Sequence, residues 1–145
     1  MTDTDRSNAG QTAMQPCTHD GIAAQETWRD CTAAHGGRLR LVLLAPDPQS
    51  AAPLLEQAAR IADTLPVRTD AALRYLWEAG REPADPDAPP DTFLQGFAPS
   101  DLVLAADGGY VMHLAPLDDA WFMDGYWPSL QFSAQHEPLG WVCES

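Results

Sequence analysis

The chain reads as an α+β domain, a mainly antiparallel sheet with two or three helices packed on one face. Three observations predict it. Helical apolar periodicity is concentrated between residues 50 and 79. A proline-rich stretch, REPADPDAPPDT at 81–92, then interrupts the chain. Beyond it come short apolar runs divided by Asp-Gly and Gly-Gly turns, the pattern of hairpins. Strands and helices are segregated rather than alternating, so a doubly wound parallel sheet is not expected.

The first 16 residues, MTDTDRSNAGQTAMQP, hold no aromatic or branched aliphatic side chain. A segment with so little to bury reads as a disordered tail, leaving 17–145 as one domain. Residues 21–34, around Trp28, predict a short helix that Gly36-Gly37 would end. In RLRLVLLA (38–45), Arg38 and Arg40 alternate with Leu39 and Leu41 before the run turns wholly apolar, as in a strand that enters from solvent. Pro46 and Pro48 stop it.

Over 50–65, Leu54, Leu55, Ala58, Ile61, Ala62 and Leu65 form one face of a 3.6-residue period. Ser50 is the expected N-cap, Pro53 falls in the first turn and Pro66 ends the helix. A second helix is expected over 69–79, capped by Thr69 or Asp70, with Leu73, Leu76 and Trp77 as its stripe and Gly80 as its stop. The 81–92 segment, with four prolines and four acids, is an exposed linker whose far end Phe93 and Phe97 anchor.

In the second half, Asp107-Gly108-Gly109 turns a hairpin, with Tyr110, Met112 and Leu114 on one face and Val111 and His113 on the other. Pro116 and Asp118-Asp119 form another turn. Ser129–Ser133 predicts a further strand with Leu130 and Phe132 on one face, and Trp141-Val142 a last one.

Charge is distributed unevenly along this frame. The chain has a net charge of −13 and no lysine, and its last arginine is Arg81. Ten acids face eight arginines up to that point, a net of −2, while 82–145 carry eleven acids and no Lys or Arg. The same second half holds nine of the twelve aromatics. Such a balance disfavours nucleic-acid phosphate and anionic membrane surfaces, and favours solubility and cationic partners. There is no signal-peptide pattern and no apolar run of transmembrane length, so the expected location is cytoplasmic. Cys17, Cys31 and Cys143 are expected to be free thiols there.

Few motifs carry catalytic or metal chemistry. Cys17, His19, Cys31 and His35 are all zinc-ligand types, but C-x-H and C-x3-H lack the C-x2–4-C knuckle of structural zinc sites. Asp118, Asp119 and Asp124 have apolar residues where a calcium loop needs oxygen ligands. Cys143 with His136 is the remaining nucleophile–base combination, and there is neither a G-x-S-x-G elbow nor a P-loop. No cofactor is expected.

One segment stands apart. DDAWFMDGYWP (118–128) interleaves three carboxylates with Trp121, Phe122, Tyr126 and Trp127. Aromatic anchors beside carboxylates are the composition of a surface that receives a basic protein. Asp118, Asp119, Trp121, Asp124, Tyr126 and Trp127 are therefore the candidate partner-binding residues.

The pattern LVLAADGGYVMHL…DDAWFMDGYWPSLQFS, with the preceding strand and helices, resembles uncharacterised families of small acidic bacterial proteins across about residues 38–142. Some of these are classed as polymorphic-toxin immunity proteins. Tyr126-Trp127-Pro128 stands where such proteins often show Gly-His and a longer apolar strand. The resemblance implies a non-enzymatic protein that neutralises a basic toxin by stoichiometric occlusion, and supplies no catalytic residue. The alternatives are a small enzyme or metal-binding domain using the Cys/His residues, and a nucleic-acid mimic.

Overall fold

A computed structural model describes residues 13–145. Its strands are β1 (Gln15–His19), β2 (Ile22–Asp30), β3 (Arg38–Leu43), β4 (Phe97–Leu104), β5 (Tyr110–Pro116), β6 (Trp127–Phe132) and β7 (Pro138–Glu144). Between β3 and β4 lie α1 (Pro48–Asp63), α2 (Leu65–Gly80) and the single turn α3 (Asp91–Leu94). The seven strands form one sheet in chain order. Every neighbouring pair is antiparallel except β3–β4, which is parallel because the helices carry the chain back across the sheet. This is the expected α+β architecture.

The sheet has two unlike faces. Leu41, Leu102, Met112 and Leu130 are consecutive cross-strand partners, and each is wholly buried against the helix layer. Ala51, Leu54, Ala58, Ile61 and Ala62 of α1 meet this face, with Leu65, Ala72, Leu73, Leu76 and Trp77 of α2. Period-2 alternation in the strands thus meets a 3.6-residue stripe in the helices, and both bury the same core.

Among the described residues the other face carries no helix, yet part of it is closed. Val42, Val103 and Ala24 are buried there, with Cys17 of β1 packed against them. His19 of β1 also lines a cavity with His113 of β5 and Trp127 of β6. In a flat sheet β1 and β5 would lie four strand spacings, about 19 Å, apart. The β1–β2 hairpin therefore curls over this face.

Several local expectations are corrected. Residues 22–30 are strand β2, not the middle of a helix over 21–34. Their alternation decides it: Gln25 and Thr27 are buried on one side while Glu26 and Trp28 face the other. β1 begins at Gln15, two residues inside the expected 1–16 tail; residues 1–12 of that tail lie outside the described part. Gly36 and Gly37 shape a 3-10 turn between β2 and β3 with positive φ angles of 66° and 76°, a backbone that glycine adopts freely.

In α1 the cap is Asp47, whose Oδ1 accepts the Ser50 N–H at 2.8 Å, rather than Ser50 itself. Pro48 takes the first helical position, which leaves Pro53 inside the helix rather than in its first turn. Pro66 does not terminate a helix; it sits in the first turn of α2, two residues after Thr64, which joins the two helices. The linker is shorter than expected, since α3 starts at Asp91. It is held to α2, where the Trp77 indole Nε1–H donates to the Pro86 carbonyl at 2.9 Å and Arg81 pairs with Asp87 at 3.4 Å. Phe93 and Phe97 are buried at its far end.

Candidate functional site

The connection from β5 to β6, residues 117–126, contains most of the candidate partner-binding residues. Its root is fixed by aromatic packing and its tip is open. The Trp121 ring meets Phe93 and Trp77 edge-on, with centroids 5.1 and 5.8 Å away, and Phe122 meets Phe97 at 5.8 Å. The Leu117 N–H donates to the Gly96 carbonyl at 2.8 Å. Gly96 has to be small, because a Cβ there would lie 2.9 Å from the Thr92 carbonyl oxygen and 3.3 Å from Trp121 Cδ1. Asp118 Oδ1 accepts the Ala120 N–H at 3.0 Å, and a Met123–Tyr126 turn uses Gly125 at φ 86°.

On this support the apolar tips face solvent. Met123 is 74% exposed, Tyr126 43% and Trp121 38%, and Leu117 is exposed beside them. Asp118, Asp119 and Asp124 are exposed among these side chains. A groove of about 510 Å³ runs between them, floored by Phe122 and bounded by Tyr126 and Trp127. The ion pairs of Arg29, Arg38, Arg40, Arg74 and Arg81 all go to other carboxylates, so these five cations do not neutralise the three aspartates.

Trp127 differs from its neighbours in the sequence. It is half-buried at the start of β6, and its indole Nε1–H donates to His113 Nδ1 at 2.9 Å. It forms the wall between the acidic groove and a second cleft of about 360 Å³ on the helix-free face.

That second cleft was not legible as a site. Arg40 of β3 donates to Glu26 of β2 at 2.9 Å and to Asp101 of β4 at 3.3 Å, tying three strands through one guanidinium. The hydrogen bond from Arg40 holds the Glu26 carboxyl below its ordinary range, and the same bond raises the Arg40 pKa. His113 lies beyond Asp101 on the next strand, with Glu144 of β7 3.8 Å from its Nδ1. Burial lowers the His113 pKa, more strongly than Asp101 and Glu144 raise it. Alternation along β3 and β5 put Arg40 and His113 on the face opposite the leucines, but only the cross-strand register makes them neighbours. Ser100 Oγ donates to the His113 backbone carbonyl at 3.4 Å rather than to its ring, so the cleft does not assemble a Ser–His pair.

The Cys/His combinations also fail to assemble. Cys17 and His19 share β1, whereas Cys31 and His35 flank the turn after β2. Cys17 is opposite Ala24, so Cys31 lies seven residues further along the strand direction, roughly 23 Å away. Among the described residues no group of three or more His, Cys, Asp or Glu could hold a metal ion, the three aspartates of the acidic loop included. Burial, with Glu26 nearby, raises the Cys17 pKa, which makes its thiol less reactive. Cys143 pairs with Pro128 near the end of β7, while His136 sits in the turn before that strand and bonds the Tyr110 hydroxyl through Nδ1 at 2.8 Å. The length of β7 holds thiol and imidazole apart by roughly 17 Å.

Among the described residues no helix is long and apolar enough to cross a membrane. No protein-family model, no characterised protein and no solved structure matches the chain at a significant level.

Proposed function

We propose that this is a non-enzymatic binding protein whose 117–126 loop receives a basic protein partner and covers its functional surface. The observation that carries this reading is the pairing of exposed apolar tips with carboxylates on one rooted loop. Trp121, Met123 and Tyr126 supply desolvatable anchor area, while Asp118, Asp119 and Asp124 supply steering charge. A loop already fixed by Phe93, Phe97 and Gly96 loses little conformational entropy on binding. Stoichiometric occlusion of a basic toxin, as in the immunity proteins that the C-terminal pattern resembles, is the form of this activity we favour.

The test is a pull-down from the producing cell with the intact protein and with the D118N/D119N/D124N variant in parallel. A basic protein retained by the first and lost by the second supports the reading. Capture that is equal for both proteins, or insensitive to salt, contradicts it.

A further inference from the structure

We propose that the partner docks by adding an extended, basic segment alongside β7, as an eighth strand of the sheet. The inference rests on the reading of the protein as a binder of basic partners and specifies where and how one would bind. Among the described residues β7 is hydrogen-bonded to β6 alone, which leaves its outer row of backbone N–H and C=O groups without a strand partner there. Natural edge strands are usually blunted by lysine, proline, bulges or short length. The other edge follows that pattern, because β1 has five residues, contains Pro16 and is curled over the helix-free face. In β7 the blunting is confined to its start, at Pro138 and the register shift opposite Gln131 and Phe132. From Trp141 to Glu144 the strand pairs regularly with Leu130 to Trp127 and carries no cation.

The side chains of this edge are unusually apolar for solvent. Leu139, Trp141, Val142 and Cys143 are all exposed. Trp141 stands edge-on to Phe122 of the acidic loop, with centroids 6.4 Å apart, so the edge and the loop form one continuous surface. Beside Trp141 is a cleft of about 260 Å³ whose walls include Trp77, Trp121, Asp85 and Arg81. An added strand projects alternate side chains to one face, so one set can enter this cleft while the other passes Val142 and Glu144. Its rings suit an arginine or lysine side chain, and the Arg81 charge at its wall is already paired with Glu78 and Asp87.

Charge decides between the two occupants an open edge can take. A second copy would bring together two 82–145 halves, each with eleven acids and no lysine or arginine. A basic segment meets the same surface with opposite charge. The geometry therefore points to strand addition by a cationic partner.

The test uses the full chain and a synthetic peptide of about eight residues alternating arginine and valine, a length that matches one strand. Its control is the same peptide N-methylated at its two central residues, which removes an N–H from each edge and leaves charge and side chains unchanged. The expected result is binding of the first peptide, slowed amide exchange over residues 139–144, and protection of the Cys143 thiol from alkylation. Binding of the methylated peptide should be weaker by about tenfold, the loss of roughly one main-chain hydrogen bond. Equal binding of both peptides, with changes confined to residues 117–126, would overturn strand addition while leaving the loop reading in place. A dimer that shields Cys143 without peptide would overturn it in favour of a second copy. Failure of both peptides to bind would also overturn it. The pull-down with the aspartate variant remains a separate measure of the loop.

Discussion

At His113 the direction of one hydrogen bond sets the protonation state, because an indole N–H can only donate. Trp127 donates to Nδ1, so that nitrogen is unprotonated and the ring proton sits on Nε2. The groups facing the ring are Asp101 from β4, Glu144 from β7, Arg40 from β3 and His19 from β1, with burial outweighing the two carboxylates. The folded pKa therefore lies below the ordinary 6.5. A histidine held neutral contributes its stability fully above the unfolded pKa and loses it as pH falls through the folded one. We expect stability to decline as pH drops below about 6.5, with a change in Trp127 fluorescence. His113→Gln keeps an acceptor for the indole without titrating, and should flatten that part of the profile. Superimposable profiles for the two proteins would refute the assignment.

Gly96 offers a second residue-scale prediction. Gly96→Ala forces a Cβ against the Thr92 carbonyl and the Trp121 ring. It should cost about 1–2 kcal/mol in denaturant unfolding, as overpacking does, and weaken partner binding by displacing the loop. Unchanged stability would mean that the Trp121 root is looser than described.

Among the elements, α1 contains a removable flaw. Pro53 is exposed inside the helix and has no N–H for the Gln49 carbonyl, which an ordinary residue there would bond. Pro53→Ala should stabilise the protein by about 1–3 kcal/mol, read from the shift in chemical denaturation. A destabilised variant would show that the proline ring makes packing that outweighs the missing bond. The same helix shows what local pattern can and cannot reveal. Its apolar stripe was legible because Leu54, Ala58, Ile61 and Ala62, at helical spacing, meet one core. Its start was not, because Asp47 and Ser50 are both good caps and the choice between them depends on Pro48. Residues 22–30 misled for a related reason. Ala23, Ala24, Gln25 and Glu26 favour a helix intrinsically, and only pairing with β1 and β3 makes the strand. The parallel β3–β4 pair was equally hidden, since it depends on where two helices return the chain.

At the scale of the whole molecule, the boundary at Arg81 is a boundary in the fold. Arg29, Arg38, Arg40, Arg74 and Arg81 form ion pairs within or beside their own elements, with Arg40–Asp101 and Arg81–Asp87 reaching into the second half. The acidic half then forms β4 to β7 and the exposed loop. The composition of that loop could be read from residues 118–128, because aromatics and acids alternate there without cations. The separation of Trp127 from the others could not, because its partner His113 is on the neighbouring strand. Nor could the exposure of β7, because edge position is a property of the sheet. Acidity alone gives solubility. Acidity placed around exposed Trp121, Met123 and Tyr126 gives a surface with both steering charge and anchor area.

The most direct measurement is the association rate of the captured basic partner across a range of salt, for the intact protein and for D118N/D119N/D124N. Loop-directed steering predicts a steep fall in rate with salt for the intact protein, by about tenfold or more, and a markedly flatter dependence for the variant. Identical salt dependence in the two proteins would contradict the account, because the acidic loop would then have no part in the encounter.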